Sequence, residues 1–387
     1  MANMDGTMAT RRGFLTGSLG VVATQLGCAR PKRQGPRAYA FVANSEGSTV
    51  AVADLATFAV ARQIRLDDQP SDVIAPAGRS SVYVLTPQSG SLHEIAVQQL
   101  KVQRKLRLGQ TAVSMRLAPG GASIYVLLGQ PKKLVRVALD RFQVDWELQL
   151  PVSGIDFAVD RYFDPTTQGY RQTGAISFGP AAGFSFFDPT ERKLFPMLKL
   201  DGELGTVRFQ FGKELIVANL SARSLSVYNT LAQRRMVELP LKNRPDNLCF
   251  NFDSGQLFVT GEGSDAVSVV YPTQTPEVAE TVLVGRQPGA MACSADPAYL
   301  FIANPSSGDV SILNADHKVI AIVSVGAQPC FITITPNNDF ALVLNRQSGD
   351  MAVLRIDTIK GNRSKSASLF TMIPVGSAPV SASVQMI

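Results

Sequence analysis

The stretch Phe301–Asn338, FIANPSSGDVSILNADHKVIAIVSVGAQPCFITITPNN, decides how this chain folds. Phe301–Asn304 is a short β-rich run closed by a Pro-Ser-Ser-Gly turn, and Val310–Leu313 is a second run. A third ends in the apolar-glycine pair Val325-Gly326, and Pro329 then leads into a fourth, Cys330–Ile334. Four such runs within roughly 40–45 residues are the signature of one β-propeller blade.

Outward from that stretch the same pattern recurs. Its opening run reappears as Phe41–Asn44, Leu215–Asn219 and Phe258–Thr260, and its second as Val50–Asp54, Val227-Tyr228 and Val267–Val270. The closing apolar-glycine pair returns as Leu108-Gly109, Val284-Gly285 and Val375-Gly376, and the proline as Pro70, Pro245, Pro288 and Pro379. With strands lettered A to D from the axis outward, B strands are expected near Tyr39, Val82, Ile124, Ala175, Leu215, Leu257, Leu300 and Ala341. A strands are expected near Ser71, Ala112, Gly154, Leu204, Asp246, Gly289, Cys330 and Val380. Successive units mostly start 40 to 43 residues apart.

That count predicts an all-β propeller of eight four-stranded blades. The last A strand, Val380–Met386, has no B strand after it, and the first B strand has no A strand before it. The C-terminal strand is therefore expected to complete blade one and close the ring, which protects sheet edges that would otherwise aggregate. Seven blades remain the alternative if the fourth unit, Ala175–Phe178 with Phe184–Phe187, is not a blade. The A strands read as near-continuous apolar runs, such as Phe331–Ile334 and Ala290–Cys293, as strands packed on both faces should.

The repeat resembles that of the YVTN-repeat family of bacterial propellers, with the best match between residues 215 and 340 and the weakest between 150 and 205. That resemblance implies a propeller used as a binding or surface scaffold; it implies no particular reaction, since the fold hosts many activities.

The N-terminus reads as a targeting segment. Thr10-Arg-Arg-Gly-Phe-Leu15 resembles a twin-arginine export signal, with Arg11, Arg12, Phe14 and Leu15 in register. The apolar run from Gly13 to Gly27 spans roughly 20 Å as a helix, short of a bilayer core of about 30 Å. Leu26-Gly27-Cys28 resembles a lipoprotein box with Cys28 as the lipidated residue, although Gln25 departs from that pattern. Release by cleavage beside Cys28 and an uncleaved anchor stay open. The expected organisation is a signal peptide over residues 1–29, a basic linker over 30–37 and the propeller over 38–387. The resemblance implies export to the periplasm or cell envelope, with a membrane reached only through a lipid on Cys28.

Charge sets further bounds. Residues 1–37 hold Arg11, Arg12, Arg30, Lys32, Arg33 and Arg37 against Asp5, a net of +5 out of the chain's +6, which leaves +1 for residues 38–387. A nearly neutral propeller argues against a nucleic-acid partner. The chain is expected to act as a monomer.

Motifs for chemistry are sparse. His93 and His317 fall on different blades, with no spacing suited to zinc, copper or haem. Cys249, Cys293 and Cys330 lie on consecutive A strands at different offsets from their prolines, so Cys330 is expected roughly 10 Å or more from the other two. The three read as small buried apolar residues. No Gly-x-Ser-x-Gly elbow occurs, and Gly179–Gly183 lacks the lysine and helix of a phosphate loop. No catalytic residue, metal ligand or cofactor is therefore assigned.

The candidate ligand site is the mouth of the channel, where D–A and B–C loops from every blade meet. Those loops carry Asp72, Arg244, Asp246, Asn247, Arg286 and Arg346, and Arg116 and Arg208 lie within otherwise apolar A strands. The expected partner is a protein or a small anionic ligand, with internal ion pairing such as Arg244 with Asp246 as the competing role. Arg161–Arg171 and Lys360–Lys365 are read as long connections on the opposite face, the first being aromatic-rich and suited to a partner contact. The leading functional expectation is an exported, non-catalytic binding or scaffolding module. The alternative is a lactonase-like propeller hydrolase, for which Asp72, Asp246 and Asn247 are the residues that could begin a metal site.

Overall fold

The structure, a computed structural model, describes residues 37–164, 166–179, 183–273, 275–359 and 368–387. The targeting motif, Cys28 and the Lys360–Lys365 connection lie outside the described residues. The described chain is a ring of eight four-stranded antiparallel sheets, which makes it an eight-bladed β-propeller. Its A strands run Asp72–Ile74, Thr111–Leu117, Gly154–Asp164, Leu204–Gln210, Asn247–Phe250, Met291–Cys293, Pro329–Ile334 and Pro379–Met386, within two residues of the starts expected from the repeat.

Ring closure takes the expected form. Pro379–Met386 pairs with Ala38–Asn44 in a ladder running from Ala38 opposite Met386 to Asn44 opposite Pro379. The seam is sealed like every other inter-blade interface. Ala40, Val42, Ala51 and Ala53 of blade one share one buried cluster with Leu342, Leu344, Met351 and Val353 of blade eight. Each large side chain buried this way contributes about 1.5–3 kcal/mol.

Burial is distributed differently from the sequence expectation. The continuous buried runs are the B and C strands, such as Phe340–Asn345 and Ser91–Ala96, which are buried at every position. The A strands are less covered: all four residues of Asn247–Phe250 are only partly buried. The reason is radial position, because B and C strands are sandwiched between neighbouring blades while A strands present one face to the channel. D strands on the rim alternate, as in Lys101–Arg107.

The repeated asparagine and glycine form one joint. Asn345, at the end of a B strand, donates from Nδ2 to the carbonyl oxygen of Val325 at 2.9 Å, in the preceding blade. Gly326 follows with φ of 148°, and a Cβ there would lie 2.6 Å from Asn345 Nδ2. Gly285 stands against Asn304 in the same way, with a Cβ meeting the amide carbon at 2.4 Å. The pair recurs where blade six meets seven, seven meets eight and, through Gly376 and Asn44, eight meets one, the glycine leaving room for the amide beside it.

Blade four corrects one reading. Arg161–Arg171 is not an irregular connection but the end of a β-hairpin, in which Gly154–Asp164 and Gly169–Phe178 stay paired through Phe163 opposite Tyr170 and Asp164 opposite Gly169. Asp164 Oδ1 accepts the Thr166 amide at 2.9 Å to form the turn. The hairpin outruns the rest of its sheet, since the next strand, Phe184–Asp188, pairs only as far as Gly174.

Candidate functional site

The inner strands of blades three, four and five bring three charges together on the channel wall. Asp156 accepts from Arg116 Nη2 at 2.9 Å on one carboxylate oxygen and from Arg208 Nη1 at 2.8 Å on the other. The Val207 amide also donates to the second oxygen, at 3.2 Å. Arg116 and Arg208, two of the expected site residues, are thus united by a carboxylate the sequence reading did not single out. The available signal was an acidic residue inside the apolar start of an A strand, Ile155–Val159, but the same strand also carries Asp160, Arg161 and Asp164, which hid it. It lay in the most irregular unit of the repeat.

Asp72 stands in blade two, beside this cluster. Its Oδ1 accepts the Ser381 hydroxyl at 3.0 Å and the Val73 amide at 2.8 Å. Burial pushes its carboxyl above the usual range, opposed by the Ser381 hydrogen bond and the Arg116 charge. Burial also disfavours the charged form of Arg208, opposed by Asp156. A guanidinium nonetheless stays protonated in proteins, so the inner wall here holds two positive groups, one committed carboxylate and one carboxyl that resists ionising.

Blade six places Arg244, Asp246 and Asn247 together at the mouth, but two of them neutralise one another. Arg244 Nε lies 2.8 Å from Asp246 Oδ1, and Arg244 Nη1 lies 3.5 Å from Glu262. Asp246 Oδ2 is also held by the Glu262 amide at 2.8 Å. The ion pair is thus part of the loop's own scaffold. Asn247 and Asp246 line a small cleft of about 220 Å³ with Glu262, Asp265 and Gln287. Asp72 is in blade two and Asp246 and Asn247 in blade six, half the ring away. Among the described residues no group of three or more histidine, cysteine or acidic side chains converges on either place.

Arg286 and Arg346 behave differently: both are exposed, and among the described residues neither makes an ion pair. Arg346 borders a cleft of about 650 Å³ where blades eight and one meet at the mouth. Among the described residues its lining is mostly polar, including Gln63, Gln328, Gln347, Ser348 and Ser377, with Glu46 supplying a carboxylate. Every one of these residues comes from a D strand, a D–A loop or a B–C loop, so the cleft belongs to the expected face.

The histidines lie apart. His93 is buried in the C strand of blade two, its Nε2 3.2 Å from the Thr86 hydroxyl and 3.4 Å from Asp67. His317 sits in the C–D turn of blade seven with Nδ1 bonded to Glu280. The hairpin of blade four exposes Phe163 and Tyr170, the latter 73% accessible, with the rings edge to face at 5.7 Å.

An eight-bladed propeller with a polar, arginine-bearing mouth is the class that this fold and site define. No protein-family model matches the chain, and no curated protein matches it in sequence. Solved structures match it in fold. Apo AztD from Citrobacter koseri superposes with a TM-score of 0.66 at 11% identity, over 90% of this chain and 97% of that one. The dihydro-heme d1 dehydrogenase NirN gives 0.66 at 13%, over 92% of this chain and 77% of its own. A putative 6-phosphogluconolactonase from Bacteroides fragilis gives 0.58 at 14%, over 90% and 98%. At such identities the likeness is one of fold alone.

Proposed function

We propose that this chain is an exported propeller that binds an anionic ligand at its mouth, as a binding or scaffolding module of the cell envelope. The observation that carries the reading is Arg346: an exposed guanidinium with no ion pair among the described residues, set in a polar cleft of about 650 Å³. A guanidinium offers planar paired donors to a carboxylate or phosphate, and the amide and hydroxyl groups around it supply further hydrogen bonds. Arg286, exposed at the same face, extends the positive rim, whereas Arg244 is spent on Asp246. Export rests on the Thr10–Leu15 motif, and any membrane tether on Cys28.

Calorimetric titration with inorganic phosphate, citrate and a glutamate-rich peptide tests the reading. Binding of at least one probe is expected, weakened about tenfold or more by Arg346→Ala, since a charge-assisted bond contributes about 1.5–3 kcal/mol, and barely changed by Arg244→Ala. Binding that survives Arg346→Ala but disappears on deleting residues 162–170 would move the site to the hairpin. Failure of all three probes would reject the anion reading.

A further inference from the structure

Two thiols meet on the inner strands of blades six and seven. Cys249 belongs to Asn247–Phe250 and Cys293 to Met291–Cys293, and their sulfurs lie 3.8 Å apart. Each backbone is held in its own blade, Cys249 opposite Phe258 and Cys293 opposite Leu300. Cys330 does not join them; its thiol donates to the Pro379 carbonyl at 3.2 Å. The sequence offsets set Cys330 apart, while the meeting of the other two sulfurs comes from the packing of one blade against the next.

Cys249, Cys293 and Cys330 are free thiols. A disulfide needs sulfurs about 2.0 Å apart, so the pair must close by less than the width of an atom. Access exists as well. Cys293 lines a cleft of about 220 Å³ with Phe258, Tyr299 and His317, on the face opposite the mouth. The spacing would also suit two thiolates on one metal, but among the described residues no group of three or more histidine, cysteine or acidic side chains converges.

We propose that Cys249 and Cys293 are a redox pair, closed reversibly into a disulfide that clasps blade six to blade seven at the channel wall. The oxidant class is a low-molecular-weight disulfide. One thiolate of the pair attacks it, forming a mixed disulfide and releasing one small thiol. The second cysteine then displaces the other small thiol, leaving the Cys249–Cys293 bond. Two electrons pass from the protein sulfurs to the oxidant, and the two cysteine protons end on the released thiols. The hydrogen bond to Cys249, together with burial, holds the Cys293 thiol protonated well above the usual range. Exchange is therefore slow near neutrality and faster as pH rises.

The experiment incubates the full chain with glutathione disulfide, blocks remaining thiols with iodoacetamide, and maps tryptic peptides with and without dithiothreitol. The expected product is a peptide linked through Cys249 and Cys293, lost on reduction, with Cys330 alkylated. Its melting temperature should exceed that of the reduced protein by about 4 °C. Cys249→Ala should abolish the link, and its reduced form should melt near the parent. A link that uses Cys28 or Cys330, two separate glutathione adducts without a link, or full alkylation of both cysteines after prolonged oxidant treatment would each overturn the proposal. Peptide mapping of the unaltered chain decides the matter even if the variant folds poorly.

Discussion

Asn44 Nδ2 donates to the carbonyl oxygen of Val375 at 2.8 Å, joining the first B strand to the end of the last D strand across 331 residues of sequence. The same amide reaches Thr49 Oγ1 at 3.2 Å, and Gly376 passes beneath it with φ of 129°. Ring closure thus reuses the joint that links internal blades, such as Asn345 with Val325.

Breaking that joint should loosen the ring. Asn44 is fully buried, and Asn44→Ala removes one of the two side-chain donors to the Val375 carbonyl, Gln63 Nε2 remaining at 2.6 Å, so it should cost about 0.5–1.5 kcal/mol. Gly376→Ala places a Cβ 2.7 Å from Asn44 Nδ2 on a backbone unfavourable to side chains and should also destabilise. Urea unfolding measures both; midpoints unchanged from the parent would show that the strand ladder alone closes the ring.

Asp156 should matter more than either arginine it binds. Asp156→Ala leaves Arg116 and Arg208 facing one another on the channel wall. The expected loss is about 1–3 kcal/mol, below the roughly 3–5 kcal/mol of a fully buried pair, because both guanidiniums are about a third exposed. Added sulfate should recover more stability in the variant than in the parent, by neutralising the orphaned charges. Thermal melts across a sulfate series make the comparison.

His93 should give the fold an acid-sensitive step. Burial lowers its folded-state value below the ordinary 6.5, opposed by Asp67 and Asp68 and reinforced by Lys105. The unfolded chain therefore takes the proton first as pH falls. The stabilisation is complete above about 6.5 and is lost as pH falls through the lower folded value. His93→Gln should flatten that part of the urea-midpoint curve against pH, while leaving the steeper carboxylate limb at lower pH.

The export proposal has its own test. Replacing Arg11 and Arg12 by lysine should leave the precursor in the cytoplasm, seen by fractionation of producing cells. Cys28→Ala should abolish lipid attachment by mass spectrometry without changing the melting temperature of the propeller. Normal export of the double-lysine variant would reject the twin-arginine reading.

The hairpin of blade four shows where sequence patterning loses its grip. Repeat spacing carries information because each strand must bury a defined set of side chains. Beyond Gly174 the two paired strands have no third partner, and residues such as Tyr170 and Phe163 face solvent. Without a buried face there is no periodicity to read, so a paired segment looks like a long loop. The partly buried A strands mislead in the opposite sense: their residues are apolar, yet they line the channel.

By itself the sequence determined the blade count, the strand order and the closing strand. Those follow from local patterns, short β-rich runs with recurring turn residues and a proline before the next inner strand, repeated about every forty residues until the last unit lacks a partner. Only the tertiary structure decided which polar groups meet: Asp156 between Arg116 and Arg208, Arg244 spent on Asp246, Arg346 without an ion-pair partner among the described residues, and Cys249 beside Cys293. The physical reason is that such meetings depend on the height and tilt of one blade against the next. Those are set by side-chain packing between sheets some forty residues apart in the chain, and no spacing within a single repeat records them.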